Sequence, residues 1–438
     1  MQIEPLNRCT DEISTPSYSR GVDEAHDSIN LISPERNILI FELGYTGHYP
    51  SYIKHLAKYW IEQAYSGNLT IVVSPKFAQL HPDVLEIASD SLGKNLRFIV
   101  ITSHEESNLI PRCSPLNRAR RALQEWHLVH KYATELEATH CLLLYFDSFQ
   151  TAISLGKRLP CQFSGIYFRP TFHYPTLSAY SSTLKERIQR WREQFILSLV
   201  MRHPQMQVLF CLDPYVIKGL NRIYKQTTAV YLPDPVYLEM FSEEEVSHFR
   251  EDLGIEPGRQ VFLLFGALYD TRKGIHQLSL ALSMLPFELR QKVCLLFVGQ
   301  TLGNEQTQED IEVILRCAPV QVIVRDTFVP DEHVSLYFQV TDAVLAIYQK
   351  HIGMSGILVL AAAAQKPLLS QSYGLLGELT RSWKLGLAVD STNPSEIAKG
   401  LSQFILEAPE ALGDRAKMKS FAEQNSAENF ARTIFQHM

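Results

Sequence analysis

Short apolar runs, each followed by a stretch of helical period, recur along this chain in two series, and that alternation limits the fold more than any other feature. The first series lies at 38–43, 69–73, 98–101, 141–146, 163–168 and 208–212. The second lies at 261–265, 293–298, 320–324, 343–347, 368–370 and 387–389. Runs this short and this uniformly apolar read as strands buried on both faces, and parallel strands need a crossover, usually a helix, between them. The pattern pauses in between, where charged residues and Pro235, Gly254, Pro257 and Gly258 mark a linker with one short helix. The expectation is an α/β chain of two doubly wound parallel-sheet halves. Its divisions are a loose polar extension at 1–36, a first domain at 37–235, a linker at 236–258, a second domain at 259–410, and a helical segment at 411–438 that crosses back to the first domain. A length of 438 residues suits two cores better than one.

Composition narrows the function classes. Hydrophobic residues make up 46% and charged residues 20%, as in a globular protein. A net charge of −6 gives no basic face of the kind nucleic acid needs, so no nucleic-acid partner is expected. The cysteines number seven and are scattered without a CxxC pair, and Cys141 and Cys294 open apolar runs. That argues against a disulfide framework or a zinc site and for a reducing, cytoplasmic setting. The N-terminus lacks the apolar stretch of a signal peptide, and no uncharged apolar segment reaches the length of a membrane span, so any membrane contact is expected to be peripheral.

In open α/β sheets ligands bind beyond the carboxyl ends of strands, so the loops there carry the chemistry. The first, at 42–51, contains Gly44, Gly47 and His48 before a helix with its apolar stripe at Ile53, Leu56, Ala57 and Trp60. It fits an anion or hydroxyl site, and equally a tight turn with a surface histidine; it is not a dinucleotide GxGxxG. The second, at 265–274, runs from Gly266 to Arg272, Lys273 and Gly274. Adjacent Arg and Lys at a strand end suit a diphosphate, because Arg forks two oxygens and Lys adds a mobile charge; the bland alternative is a solvated basic turn. The third, at 348–367, places Gly353, Ser355 and Gly356 where a helix opens that is apolar all round and so expected to be wholly buried. Its bare N–H groups and positive dipole end suit a phosphate, although Ser355 also fits a plain N-cap.

As an ordered set, these pieces resemble the nucleotide-binding half of the group 1 (family 4) retaining glycosyltransferases. The set comprises the Arg272-Lys273-Gly274 loop, Leu296 to Gly299, Phe328-Val329-Pro330, Asp342, the loop from Gly353 to Gly356, Lys366-Pro367, Ser372-Tyr373-Gly374, Gly377-Glu378 and Leu385-Gly386-Leu387. It spans 261 to about 395. The resemblance implies a GT-B fold, two Rossmann-like domains facing a cleft. A nucleotide diphosphate sugar is the implied donor, and a sugar, glycolipid or polysaccharide the acceptor. It implies a diphosphate site of Gly47, Gly266, Arg272, Lys273, Gly353, Ser355 and Gly356, with Gly299 and Glu378 near the nucleotide or sugar. No metal and no other cofactor are implied. One departure stands out: two glutamates eight positions apart in the family correspond to Ile352 and Leu360 here. A binding or scaffold protein of the same fold, or a nucleotide-sugar epimerase, is therefore the alternative.

No catalytic residue is assigned from the sequence. His48 and the Arg169 and His173 of loop 168–174 are the candidates, with Asp147-Ser148 a weaker one. Further on, Leu184, Ile188, Trp191 and Phe195 form one helical stripe beside Lys185, Arg187, Arg190 and Arg192. The stripe is expected to pack on its own domain, with a peripheral contact to an anionic membrane as the alternative.

Overall fold

The computed structural model describes residues 36–89, 95–177 and 184–438. The extension expected at 1–36 lies outside the described residues except for Arg36.

The first half forms strands β1 (Asn37–Phe41), β2 (Asn68–Val73), β3 (Leu96–Val100), β4 (His140–Leu143), β5 (Gln162–Tyr167), β6 (Met206–Cys211) and β7 (Thr228–Tyr231). They pair in the order β3-β2-β1-β4-β5-β6-β7, every neighbouring pair parallel. The second half forms β8 (Gln260–Phe265), β9 (Val293–Val298), β10 (Gln321–Arg325), β11 (Ala343–Ala346), β12 (Leu368–Gln371) and β13 (Gly386–Val389). Their order is β10-β9-β8-β11-β12-β13, again all parallel. Each apolar run became a strand. The sequence reading missed only β7, a short edge strand whose Thr-Ala-Val-Tyr is half solvated and follows no strong apolar run.

Alternation along the strands splits each core into two layers. Leu39 and Phe41 of β1 face Trp126 and Phe149, while Ile38 and Ile40 face the side occupied by Trp60. In β8, Val261 and Leu263 pack with Leu358 and Val359, while Phe262 and Leu264 pack with Leu278 and Leu282.

Strand order sets the site. In each sheet the chain winds one way and then reverses, with the reversals between β1 and β4 and between β8 and β11. Loops leaving those two strands diverge to opposite faces and open a crevice.

Two crossings join the halves. The chain leaves β7 through Asp234 and Val236, and returns where helix Arg415–Gln424 gives way to helix Ala427–Gln436. Fully buried Asn425 ties them: its Oδ1 accepts from the Asp234 N–H at 3.0 Å and the Tyr231 hydroxyl at 3.2 Å. The last helix then packs Phe430, Ile434 and Phe435 against Tyr59 and Trp60 of the first domain. Within the stretch read as a linker, helix Glu243–Asp252 lies on the second domain, with Phe249 against Tyr337.

The helix Leu184–Val200 corrects one expectation. Leu197 and Val200 are buried, but Leu184, Ile188, Trp191 and Phe195 are 71%, 62%, 69% and 54% exposed. The stripe expected to pack on its own domain faces solvent. The inner seam is instead the one opposite, which runs through Glu193, Leu197 and Val200.

Candidate functional site

At the second reversal, the loop after β8 and the loop after β11 are cross-braced. Gly266 and Gly299 meet back to back at the sheet end. Their φ angles are +107° and +138°, and a Cβ on Gly299 would lie 1.8 Å from the Gly266 carbonyl. Only glycine serves there. Gly274, at φ +75°, leaves the same kind of close approach to the Ile347 carbonyl.

These turns bring the cations together. The Lys273 ammonium donates to the Phe265 carbonyl and, at 3.2 Å, to the Tyr348 hydroxyl, and it stands over the Tyr348 ring. Arg272 is half exposed; it donates to Asp270 and, at 3.0 Å, to Nδ1 of His351. Burial, assisted by the Arg272 charge, pushes His351 down to about 4, so this ring is neutral near pH 7 and can accept. Buried Gln371, at the end of β12, holds the loop: it accepts from the His351 N–H and donates to the His351 and Tyr373 carbonyls.

Ser355 stands at the N-cap of helix Gly356–Ala363, yet its side chain makes no cap bond. It meets the Tyr348 hydroxyl at 3.2 Å instead. The helix therefore opens with N–H groups that no side chain caps, beside Lys273 and Arg272. The helix is not wholly buried: Leu358, Val359, Ala361 and Ala362 are, while Ile357 and Leu360 are partly covered. Neither Gly353 nor Gly356 has a positive φ, so any need for glycine there is not conformational. A Cβ on Gly356 would sit 3.7 Å from Val236, an ordinary contact. Ile352 and Leu360 both pack against the second-domain core.

Across the cleft, the first reversal is built differently. His48 occupies the N-cap position of helix Tyr49–Glu62, and its ring lies against Tyr49, Tyr52 and Phe168 at 4.3, 4.9 and 4.5 Å. Its Nε2 is buried and has no hydrogen-bond partner among the described residues. Burial and the nearby Arg169 push it down to about 4. This is no surface histidine. Beside it, Asp147 accepts from the Phe168 and Arg169 N–H groups at 2.9 and 3.1 Å, while burial lifts its carboxyl to about 7. Glu42 accepts from Gly44 N–H at 2.7 Å and is lifted to about 7 for the same reason.

The two crevices face each other. A Cβ on Gly353 would come within 3.8 Å of Arg169 Cγ and 3.9 Å of the Phe168 carbonyl. Arg169 is exposed, and its charge acts on both Asp147 and His48. Arg272, Lys273 and Ser355 are thus linked through His351 and Tyr348, and Gly353 of the same loop lies beside Arg169 of the first domain. The other candidates stand apart. His173 is committed to buried Asp213 at 2.7 Å. Gly47 (φ +71°) is exposed, with open space where a Cβ would go. Glu378 pairs with Arg381 at 3.2 Å on helix Gly374–Ser382, one turn from the cross-domain contact of Ser382 with Tyr215. Sequence reasoning passed over Tyr348, His351, Gln371 and Glu42; the first two lie in a loop it had singled out for its glycines.

The profile of the family described as Glycosyl transferases group 1 matches residues 246–425, the half that carries the cation loop and the uncapped helix. This part of the chain is similar to a group 1 glycosyl transferase domain. Solved structures match over nearly the whole length. A glycosyltransferase from Rickettsia africae superposes with a TM-score of 0.63 at 13% identity, covering 92% of this chain and 98% of that one. Sucrose-phosphate synthase from Thermosynechococcus elongatus gives 0.66 at 16%, covering 92% and 98%. Anabaena Alr3699/HepE, solved with UDP and glucose, gives 0.61 at 14%, covering 92% and 99%. At these identities the likeness is one of fold, and the fold is GT-B. No curated protein matches the sequence. Among the described residues no group of three or more His, Cys, Asp or Glu could hold a metal ion, and no helix is long and apolar enough to cross a membrane.

Proposed function

We propose that the protein is a retaining glycosyltransferase. It takes a sugar from a nucleotide diphosphate sugar and passes it to a sugar, glycolipid or polysaccharide, in the cytoplasm and without a bound metal. The observation that carries this reading is the meeting of Arg272, Lys273 and an uncapped helix N-terminus at the second-sheet reversal, opposite Arg169. A diphosphate seated there meets a guanidinium that can fork two oxygens and an ammonium a short swing from the Phe265 carbonyl. It also meets N–H groups at the positive end of a helix dipole. As the glycosidic bond to the diphosphate breaks, negative charge grows on the leaving group, and these groups, once turned onto it, stabilise it. Neutral His351 and His48 add hydrogen-bonding capacity without competing charge. The acceptor enters along the wall of His48, Phe168 and Asp147, where aromatic rings and a carboxyl near neutrality suit a sugar hydroxyl.

A second reading has one observation in its favour: Ile352 and Leu360 are apolar and packed, where the family has carboxylates that serve the ribose and the reacting centre. On that reading the protein binds nucleotide sugars without turning them over. Calorimetry with UDP and GDP, joined to a donor-hydrolysis assay, separates the two. Binding with turnover supports the transferase, binding without turnover the second reading, and no nucleotide binding removes both.

A further inference from the structure

The outer face of helix Leu184–Val200 carries an apolar seam that is unpartnered among the described residues. Leu184, Ile188, Trp191, Phe195 and Leu199 follow one another at intervals of three or four residues, and all are exposed. Trp191 and Phe195 stack with ring centroids 6.1 Å apart. At 100° per residue, Arg187 and Arg192 fall on either side of the seam, and both are exposed. Glu193, the carboxylate at mid-helix, points the other way. It accepts from the Tyr167 hydroxyl and from the N–H and hydroxyl of Thr171, at the end of β5.

From this arrangement we propose that the face docks on an anionic lipid surface. Exposed aromatic and aliphatic side chains between two arginines match the boundary of an acidic bilayer, where rings enter the acyl edge and guanidinium groups meet phosphates. A chain of net charge −6 has no general affinity for such a surface, so the attraction is local to this helix. A second copy is the poorer occupant, because pairing the seam with itself brings like-charged arginines together. The inner face of the same helix grips the strand end that leads into Phe168 and Arg169. A bilayer on the outer face therefore lies beside the acceptor wall of the cleft. That consequence rests on the transferase reading; the docking does not.

The test uses the full chain with vesicles of phosphatidylcholine alone and with about one quarter phosphatidylglycerol, at low and high salt. The wild type is expected to sediment with the anionic vesicles only and to be released by salt, with a blue shift of tryptophan emission. Trp191→Ser with Phe195→Ser should weaken partitioning at least about tenfold and remove the shift. Arg187→Glu with Arg192→Glu should abolish binding, and all these positions are exposed enough to leave the fold intact. A wild type that stays in the supernatant overturns the proposal. So does vesicle binding that neither pair of substitutions alters. A wild-type dimer in sedimentation velocity that becomes monomeric in Trp191→Ser/Phe195→Ser assigns the face to a second copy and overturns it equally. UDP titration of the same samples keeps the two readings apart. Lost vesicle binding with intact UDP binding counts against docking alone, and vesicle binding without UDP binding counts against the donor site alone.

Discussion

The two sheet reversals share a topology and differ in chemistry. The second presents Arg272, Lys273, a helix N-terminus and a histidine held neutral, all braced by glycines at positive φ and by Gln371. The first presents an aromatic box around His48, with two carboxyls, Glu42 and Asp147, lifted to about 7 by burial. On the proposed function, one crevice neutralises a large negative charge, and the other meets uncharged hydroxyls with rings and protonatable groups. The difference teaches that the fold supplies only the openings, and the residues at the strand ends decide what enters each.

The contrast can be broken in steps of decreasing size. Gly299→Ala forces a Cβ into the Gly266 carbonyl at a backbone angle that side chains rarely adopt. It should cost at least about 3 kcal/mol of stability, read by denaturant unfolding. A small change would mean that the brace is soft.

Arg272→Ala and Lys273→Ala should each lose about 1.5–3 kcal/mol of UDP affinity by calorimetry, with melts close to wild type. His48→Phe, across the cleft, should leave that affinity within about twofold while slowing turnover. Equal losses at both crevices would erase the distinction between them.

The carboxyl side is sharpened by pH. Glu42 is buried, and its folded pKa, about 7, lies above its ordinary value of 4.5. The folded state therefore favours the protonated form, and wild-type stability from this group is fully present below pH 4.5 and lost as pH rises through 7. Glu42→Gln removes that loss. Relative to wild type it should gain on the order of 1–3 kcal/mol between pH 4 and pH 8, measured by urea unfolding across the range. A pH-independent difference would show that the carboxyl ionises freely.

Smallest of all, Gly356→Ala should change stability by no more than about 0.5 kcal/mol, since its Cβ meets only Val236 at van der Waals distance. Its UDP affinity should fall, because the same Cβ sits at the helix opening where the phosphate is placed.

Much of this frame was legible beforehand. Buried parallel strands leave uninterrupted apolar runs, so their places and the loops after β8 and β11 could be found from residue type alone. What stayed hidden depends on which strands are neighbours. The clamp of Gln371 on His351, the Gly266–Gly299 contact and the Asn425 knot each join residues far apart in sequence. Among the glycines that the sequence singles out, Gly266, Gly274 and Gly299 have positive φ, while Gly353 and Gly356 have ordinary backbone angles. Helical period located the seam at Leu184, Ile188, Trp191 and Phe195 correctly but not which way it faces, because two opposite seams of that helix are both partly apolar.

The most direct test of the central claim is a crystal structure with UDP. The diphosphate is expected within hydrogen-bonding distance of the Arg272 and Lys273 side chains and the N–H groups at Gly356 and Ile357. UDP bound instead in the aromatic crevice of His48, Phe168 and Asp147, with the second crevice empty, would contradict the account.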